Sequence, residues 1–189
     1  MHRAVEIANG GKVFGQGERF AGVHVVASGC VKLLEVSKDG AERIIDLCLP
    51  GDLVGISGWL HGRYPHTAIA ANRTKLCQLL WPRSKTSTPP ATLLEQLLRK
   101  TARQLEDSRH GWLGLPAVDR VAAFLTRFAE RAGSSLTLPI TRSEIGSLLG
   151  LAEETVVRAM RVLRERNVLR VEGNRVICVS GPTAPSTAQ

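Results

Sequence analysis

The run Thr141-Arg-Ser-Glu-Ile-Gly-Ser-Leu-Leu-Gly-Leu-Ala-Glu-Glu-Thr-Val-Val-Arg-Ala-Met-Arg-Val-Leu-Arg-Glu-Arg166 constrains the fold more than any other stretch of the chain. It holds two helical patterns separated only by Gly150-Leu151-Ala152, too short a link to do anything but turn one helix sharply against the other. Thr141 followed three residues later by Glu144 is a capping box, in which hydroxyl and carboxylate each take up a backbone N–H that the first helical turn leaves unpaired. Gly150 supplies the left-handed residue that ends this first helix, and Leu151 is spaced to plug the corner between the two.

On the second helix Val156, Ala159, Met160 and Leu163 recur at three- and four-residue spacing as a stripe to be buried. Glu154, Val157, Arg158 and Arg161 share that spacing on another face. Arginine can donate two bonds to guanine O6 and N7 and glutamate can accept from cytosine N4, so Glu154 and Arg158 suit the edges of base pairs in a major groove. Val157 can only press on a thymine methyl or repel a polar edge. An ordinary solvated i,i+4 salt bridge between Glu154 and Arg158 is the plain alternative. Thr141, Arg142 and Ser143, at a helix start rich in free N–H groups, are the candidate phosphate contacts, with Thr155 and Arg161 beside the base-reading face.

Two alternating apolar runs follow between Asn167 and Ser180, divided by Glu172-Gly173-Asn174, the pattern of a two-stranded hairpin. Behind a helix-turn-helix such a hairpin makes a wing. Asn174 and Arg175 near its tip are candidate backbone contacts, or simply part of a lid on the small core. Ahead of the motif, Val121, Phe124, Leu125 and Phe128 in Asp119–Arg131 form the apolar side of an amphipathic helix that packs beneath it.

The whole chain of 189 residues carries a formal net charge of +8, with an isoelectric point near 9.9. An acidic partner is expected, and charge alone does not separate nucleic acid from a membrane surface. No apolar run approaches the roughly 20 residues that span a bilayer, and the amino terminus lacks the apolar core of a signal peptide, so a cytoplasmic protein without a membrane partner is expected. Cys30, Cys48, Cys77 and Cys178 show no C-x-x-C pair and signal neither a zinc site nor a disulfide framework. No nucleophile elbow or other catalytic motif surrounds Ser28, Ser57 or the histidines, and Asp46 with Asp52 lacks metal-ligand spacing, so no enzyme and no metal are expected.

From Lys12 to Trp81 short apolar runs alternate with Gly15-Gln-Gly17, Ser28-Gly29, Asp39-Gly40, Pro50-Gly51-Asp52 and Gly62, which predicts a jelly-roll β-barrel beginning near Gly10. The clearest strands are His24–Ala27, Cys30–Val36, Arg43–Leu49, His66–Ala71 and Lys75–Trp81. A helix is predicted from Ala91 to Gly111, where Leu94, Leu98, Thr101, Leu105 and Trp112 follow a coiled-coil seam, with Leu93 and Leu97 flanking it. Pairing with a second copy would place two recognition helices about 34 Å apart, one helical turn of DNA. Folding of this helix back on its own barrel is the alternative.

With these residues placed, the chain resembles the CRP/FNR superfamily of bacterial transcription regulators. The resemblance rests on Ser28-Gly-Cys-Val-Lys-Leu, Asp39-Gly-Ala-Glu, Leu49-Pro-Gly-Asp-Leu-Val-Gly55, Asp119-Arg-Val-Ala-Ala-Phe-Leu and Ile145–Arg158, and it covers nearly all of the chain to about Ser180. It implies an α+β organisation: a cyclic-nucleotide-binding-like barrel over 1–88, a dimerisation helix and hinge over 89–115, a winged helix-turn-helix over 116–180 and a flexible tail over 181–189. It further implies a homodimer on double-stranded DNA, working with RNA polymerase.

Cyclic-AMP receptors of this superfamily place a glutamate after the last glycine of the Leu-Pro-Gly motif and an Arg-Ser or Arg-Thr pair about ten residues on. Ile56 and His66-Thr67 stand there in this chain. Isoleucine accepts no hydroxyl bond and histidine is mostly neutral at pH 7, which argues against cyclic AMP. The Leu-Pro-Gly-Asp-Leu-Val-Gly run and the Gly62-Arg-Tyr-Pro65 turn resemble the FNR and FixK branch instead, whose responses are to oxygen and nitrogen oxides. Cys77 falls about where that branch places the internal ligand of an iron–sulfur cluster, but one thiolate remains where four are needed. The resemblance therefore implies either a cluster-free member or a chain whose start has been lost. The expected DNA site resembles TTGAT-N4-ATCAA, with the base opposite Val157 open because branch members usually carry serine there. Ala152 replaces the usual Ser or Thr cap of the recognition helix, a local cost of about 1 kcal/mol. A haem-based gas sensor, with His24, His61 or His66 on the iron, and a thiol switch through one of the four cysteines are the other expectations that the residues leave open.

Overall fold

A computed structural model gives the fold and describes residues 2–80, 91–92, 94–96, 98–100, 102, 114–132, 135–172 and 175–178. The chain forms two compact units, Met1–His110 and Gly111–Gln189.

The first unit is a jelly roll of two antiparallel four-stranded sheets. Its strands are β1 (His2–Ile7), β2 (Lys12–Phe14), β3 (Gly22–Ser28), β4 (Val31–Val36), β5 (Glu42–Cys48), β6 (Leu53–Val54), β7 (Thr67–Ala70) and β8 (Thr74–Leu80), with a short helix α1 (Ser57–His61) between β6 and β7. One sheet runs β1-β8-β3-β6 and the other β2-β7-β4-β5. Both contribute to one core, in which Phe14, Val26, Val31, Cys48, Val54, Tyr64, Ala68 and Leu76 are buried together.

Tyr64, the one tyrosine of the chain, organises the end of this core. Its ring stacks on Phe14 with centroids 3.8 Å apart and meets the edge of Phe20 at 5.5 Å. Its hydroxyl donates to the Gly22 carbonyl at 2.8 Å and accepts from Ala21 N–H at 3.2 Å, so the buried phenol is satisfied at both roles.

The strand pattern starts earlier than the expected point near Gly10, because β1 precedes it and pairs along β8 from His2↔Leu79 to Ile7↔Thr74. As an edge strand it carries Arg3 and Glu6, charges that hide an alternation resting only on Val5 and Ile7. The predicted helix after the barrel is helical at each described residue from 91 to 102. Lys100 fastens it to its own barrel: Nζ donates to the Leu53 carbonyl at 3.1 Å and to Cys48 Sγ at 3.3 Å, and lies 3.6 Å from Asp46 Oδ2. Burial works against this ammonium, but the neighbouring Cys48, Asp46 and Asp52 outweigh it and hold its pKa above the usual lysine value.

The second unit contains α2 (Ala117–Ala132), β9 (Ser135–Thr137), α3 (Arg142–Leu149), α4 (Glu153–Glu165), β10 (Leu169–Glu172) and β11 (Arg175–Cys178). Val121, Phe124, Leu125 and Phe128 of α2 are buried, as their spacing predicts. The wing has three strands rather than the two expected, in the order β10-β11-β9. Three residues of β9 are too short to show a period in sequence. Asn167 ends α4 at φ 57, and Val168 N–H closes the helix by donating to the Leu163 carbonyl at 3.0 Å; asparagine here takes the left-handed position that glycine usually fills.

His24 is a buried residue of β3, 5.9 Å from Phe14 by ring centroids, with no hydrogen-bond partner for its buried Nδ1. Burial pulls its pKa down from 6.5 to about 4. The folded state then holds this ring neutral while the unfolded chain protonates, so stability present above about pH 6.5 is lost as pH falls towards 4, amounting to about 2 kcal/mol by pH 5. In urea unfolding at pH 7 and pH 5, the wild type is expected to lose about 2 kcal/mol more than His24→Leu over that interval; equal losses would contradict this assignment.

Candidate nucleic-acid interface

The helix-turn-helix is built from its caps inward. Thr141 is extended at φ −80 and ψ 167. Its Oγ1 accepts from Glu144 N–H at 3.2 Å, while Glu144 Oε2 accepts from Thr141 N–H at 2.7 Å, so both halves of the capping box are formed. Gly150 closes α3 in the left-handed region at φ 64, its N–H directed to the Gly146 carbonyl. Leu151 N–H donates to that same carbonyl at 2.8 Å.

This turn needs a second glycine that the sequence pattern does not single out. A Cβ at Gly146 would lie 2.5 Å from the Leu151 carbonyl oxygen, inside the contact distance of any carbon and oxygen. The missing side chain lets the turn fold down onto α3. Its signal in the sequence is only a glycine within a helix, normally a small penalty and here a steric requirement.

Beyond the turn, Ala152 is the N-cap of α4 and offers it no side-chain hydrogen bond. Val156, Ala159, Met160 and Leu163 are buried and pack this helix into the domain. Glu154, Val157, Arg158 and Arg161 are exposed, so the two faces separate as their spacing predicts. Val157 is a large apolar side chain 44% exposed, on the one face of α4 that the domain does not cover. Arg161 Nε pairs with Glu165 Oε1 at 3.0 Å. The i,i+4 ion pair on this helix is thus Arg161–Glu165, not Glu154–Arg158, which leaves the latter two side chains unengaged with each other.

Thr141, Arg142 and Ser143 are exposed at the start of α3, and Thr155 is half-buried in the first turn of α4. Among the expected wing contacts, Asn174 lies outside the described residues, and Arg175 is placed by its backbone opposite Glu172 and Thr137. Of the expected dimer seam, Leu94 is half-buried and Leu98 is 69% exposed; Thr101, Leu105 and Trp112 lie outside the described residues.

In the first unit, Ile56 and His66 both line a cavity of about 330 Å³, together with Leu33, Ile45, Asp46, Leu53, Ser57, Trp59, Leu60 and Lys100. This is the low end of ligand-pocket size. His66 Nδ1 is buried there without a hydrogen-bond partner. The cation in the cavity wall is Lys100, already held by Asp46, Cys48 and Leu53. Burial raises the thiols of Cys30 and Cys48 to about 12, which keeps both protonated and poorly nucleophilic at neutral pH. Cys77 is half-buried on β8. Among the described residues, no group of three or more His, Cys, Asp or Glu side chains converges as a metal site, and no helix is long and apolar enough to cross a membrane.

A jelly roll followed by a winged helix-turn-helix with an open polar face on its second helix defines a DNA-binding regulator. Comparison with known proteins agrees. Residues 4–82 match the cyclic nucleotide-binding domain and residues 119–184 the Crp-like helix-turn-helix domain. The chain is 35% identical over 186 residues to the transcriptional activator protein FnrA of Stutzerimonas stutzeri, covering 93% of this chain and 76% of that protein. It is 32% identical to the transcriptional activator protein Anr of Pseudomonas aeruginosa, with the same coverage. The structure of FixK2 from Bradyrhizobium japonicum superposes with a TM-score of 0.77 at 27% identity, over 95% of this chain and 93% of that one. The chain belongs to the CRP/FNR family of transcription regulators.

The two glycines of the turn act through different physics, which mutation separates. Gly150→Ala is expected to cost about 1 kcal/mol through its left-handed backbone, since nothing lies within 4 Å of the added carbon. Gly146→Ala is expected to cost about 2 kcal/mol or more and to abolish matched-site binding, because backbone must move. Thermal unfolding and DNA titration of the two variants check this, and an equal or reversed order would contradict the packing described.

Proposed function

We propose that the chain is a transcription activator that binds, as a homodimer, an inverted repeat resembling TTGAT-N4-ATCAA. The observation that carries this reading is the exposed Glu154, Val157 and Arg158 face of α4, opposite a fully buried stripe. Glutamate and arginine one turn apart can serve cytosine N4 and guanine O6 and N7, and Val157 adds an apolar contact suited to a thymine methyl. Arg142 and Ser143 would hold the backbone that brings this face to the bases. Activation is supported by the names of the activators FnrA and Anr to which the chain is similar, and contact with RNA polymerase is the route we propose for it.

A dimer is supported by the exposed Leu98 on the helix after the barrel, and its two-fold symmetry would match the proposed inverted repeat. The same helix touches its own barrel through Lys100, which supports the alternative expectation for part of its surface; the dimer we propose uses the face that carries Leu98. The signal we propose is an oxygen, redox or nitrogen-oxide cue sensed in the cytoplasm. Cyclic AMP is disfavoured, since Ile56 and His66 offer neither the carboxylate nor the guanidinium that ribose and cyclic phosphate need. Haem at a barrel histidine gains no support from His24, which is buried within the core.

Arg158→Ala and Glu154→Ala are each expected to cost about 1–3 kcal/mol on the matched site and to relax discrimination at one position, whereas Arg142→Ala weakens matched and scrambled duplexes alike and lowers the salt slope. Competition binding at several salt concentrations checks this; equal losses on both duplexes for Arg158→Ala would contradict base reading. Leu98→Glu is expected to shift the protein towards monomer in sedimentation, and an unchanged dimer would place the interface elsewhere.

A further inference from the structure

The reading face owes its aim to groups that never reach a groove, and one side chain joins three of the segments involved. Arg120 belongs to the first turn of α2, where its N–H donates to the Pro116 carbonyl at 3.0 Å. Among the described residues its guanidinium reaches two carbonyls. Nη1 donates to the Leu149 carbonyl at 3.0 Å, and Nη2 donates to the Leu115 carbonyl at 3.2 Å. Leu149 is the last residue of α3, where carbonyls lack intrahelical donors and a cation is favoured by the helix dipole. Leu115 lies in the segment that leads the chain into α2.

We infer that Arg120 is a positioning residue for DNA reading: its fork joins the Leu115 carbonyl of the lead-in segment to the Leu149 carbonyl that precedes the turn of the helix-turn-helix. The turn at Gly150 and Leu151 follows directly, and α4 starts two residues later. A displacement of the lead-in segment is thereby passed to the first helix of the reader instead of being absorbed in a loose joint. The chemistry suits arginine, whose planar fork carries its donors on separate nitrogens and so reaches two carbonyls apart from one another, whereas the three donors of an ammonium all leave one nitrogen and need both carbonyls within its reach. Arg120 touches no base in this account. It acts through the placement of α3 and the turn.

The inference rests on the base-reading account above only in its DNA arm. In the full-length protein without DNA, backbone ¹⁵N order parameters of Leu115 and Leu151 are expected near the rigid value of about 0.85 and to fall together in Arg120→Gln, while Val121, Leu125 and Val156 keep theirs. Arg120→Lys is expected to loosen one of the two segments and leave the other ordered. Matched-site affinity of Arg120→Gln is expected to drop about tenfold with less than a twofold change on a scrambled duplex, a ratio that mere loss of folded protein would leave unaltered. The inference is overturned if both segments stay rigid in Arg120→Gln, if Arg120→Lys restores both, if order is lost evenly through α2 and α4, or if the matched-to-scrambled ratio is unchanged while the wild type discriminates. A wild type that does not discriminate at all would count against base reading, and the order parameters would still decide the role of Arg120.

Discussion

The approach of the Leu151 carbonyl to Gly146 sets the geometry on which the reading of DNA depends. Two helices joined by three residues can cross only as closely as their backbones allow, and the absent Cβ at Gly146 removes the one atom that would hold them apart. Once the turn lies on α3, the Gly146 carbonyl receives the N–H of Leu151, Gly150 takes the left-handed conformation, and α4 leaves at an angle that buries Val156, Ala159, Met160 and Leu163. The polar face then has one place left to go, which is outward. The outward polar face of α4 is a packing result before it is an electrostatic one.

Much of this was legible in the sequence, for a physical reason. The capping box at Thr141 and Glu144, the glycine stop at Gly150 and the two faces of α4 are local features, each decided by residues three or four apart. The jelly roll was legible through its turn signals and the longer alternating runs. The edge strand β1, the short β9 and helix α1 were not, because an edge strand buries one side only and elements of three to five residues have no measurable period. Gly146, Arg120 and Lys100 escaped for a different reason. Leu151 and Leu115 lie only five residues from Gly146 and Arg120, but outside the three- and four-residue spacings that a helical pattern reveals, and Leu149, Asp46, Cys48 and Leu53 are brought to Arg120 and Lys100 by tertiary packing.

The first unit holds a cavity with few charged groups in its wall. Where a nucleotide would need fixed charges from Ile56 and His66, the wall is apolar apart from Asp46, Ser57, His66 and Lys100, and the ammonium of Lys100 is spent on the barrel itself. Two of the four cysteines are buried, protonated thiols. Cys77, half-buried on β8, has the more open setting of the three whose surroundings are described. The cavity wall thus offers one carboxylate, one hydroxyl, one imidazole and one ammonium that is already engaged.

Selection of bound duplexes from a random-sequence pool by the full-length protein, with and without reductant and nitric oxide, tests the central claim most directly. The account predicts enrichment of an inverted repeat whose half-sites share a TGA core, with the position facing Val157 less strictly defined. Enrichment of an unrelated or unrepeated sequence, or of none under any condition, would contradict it.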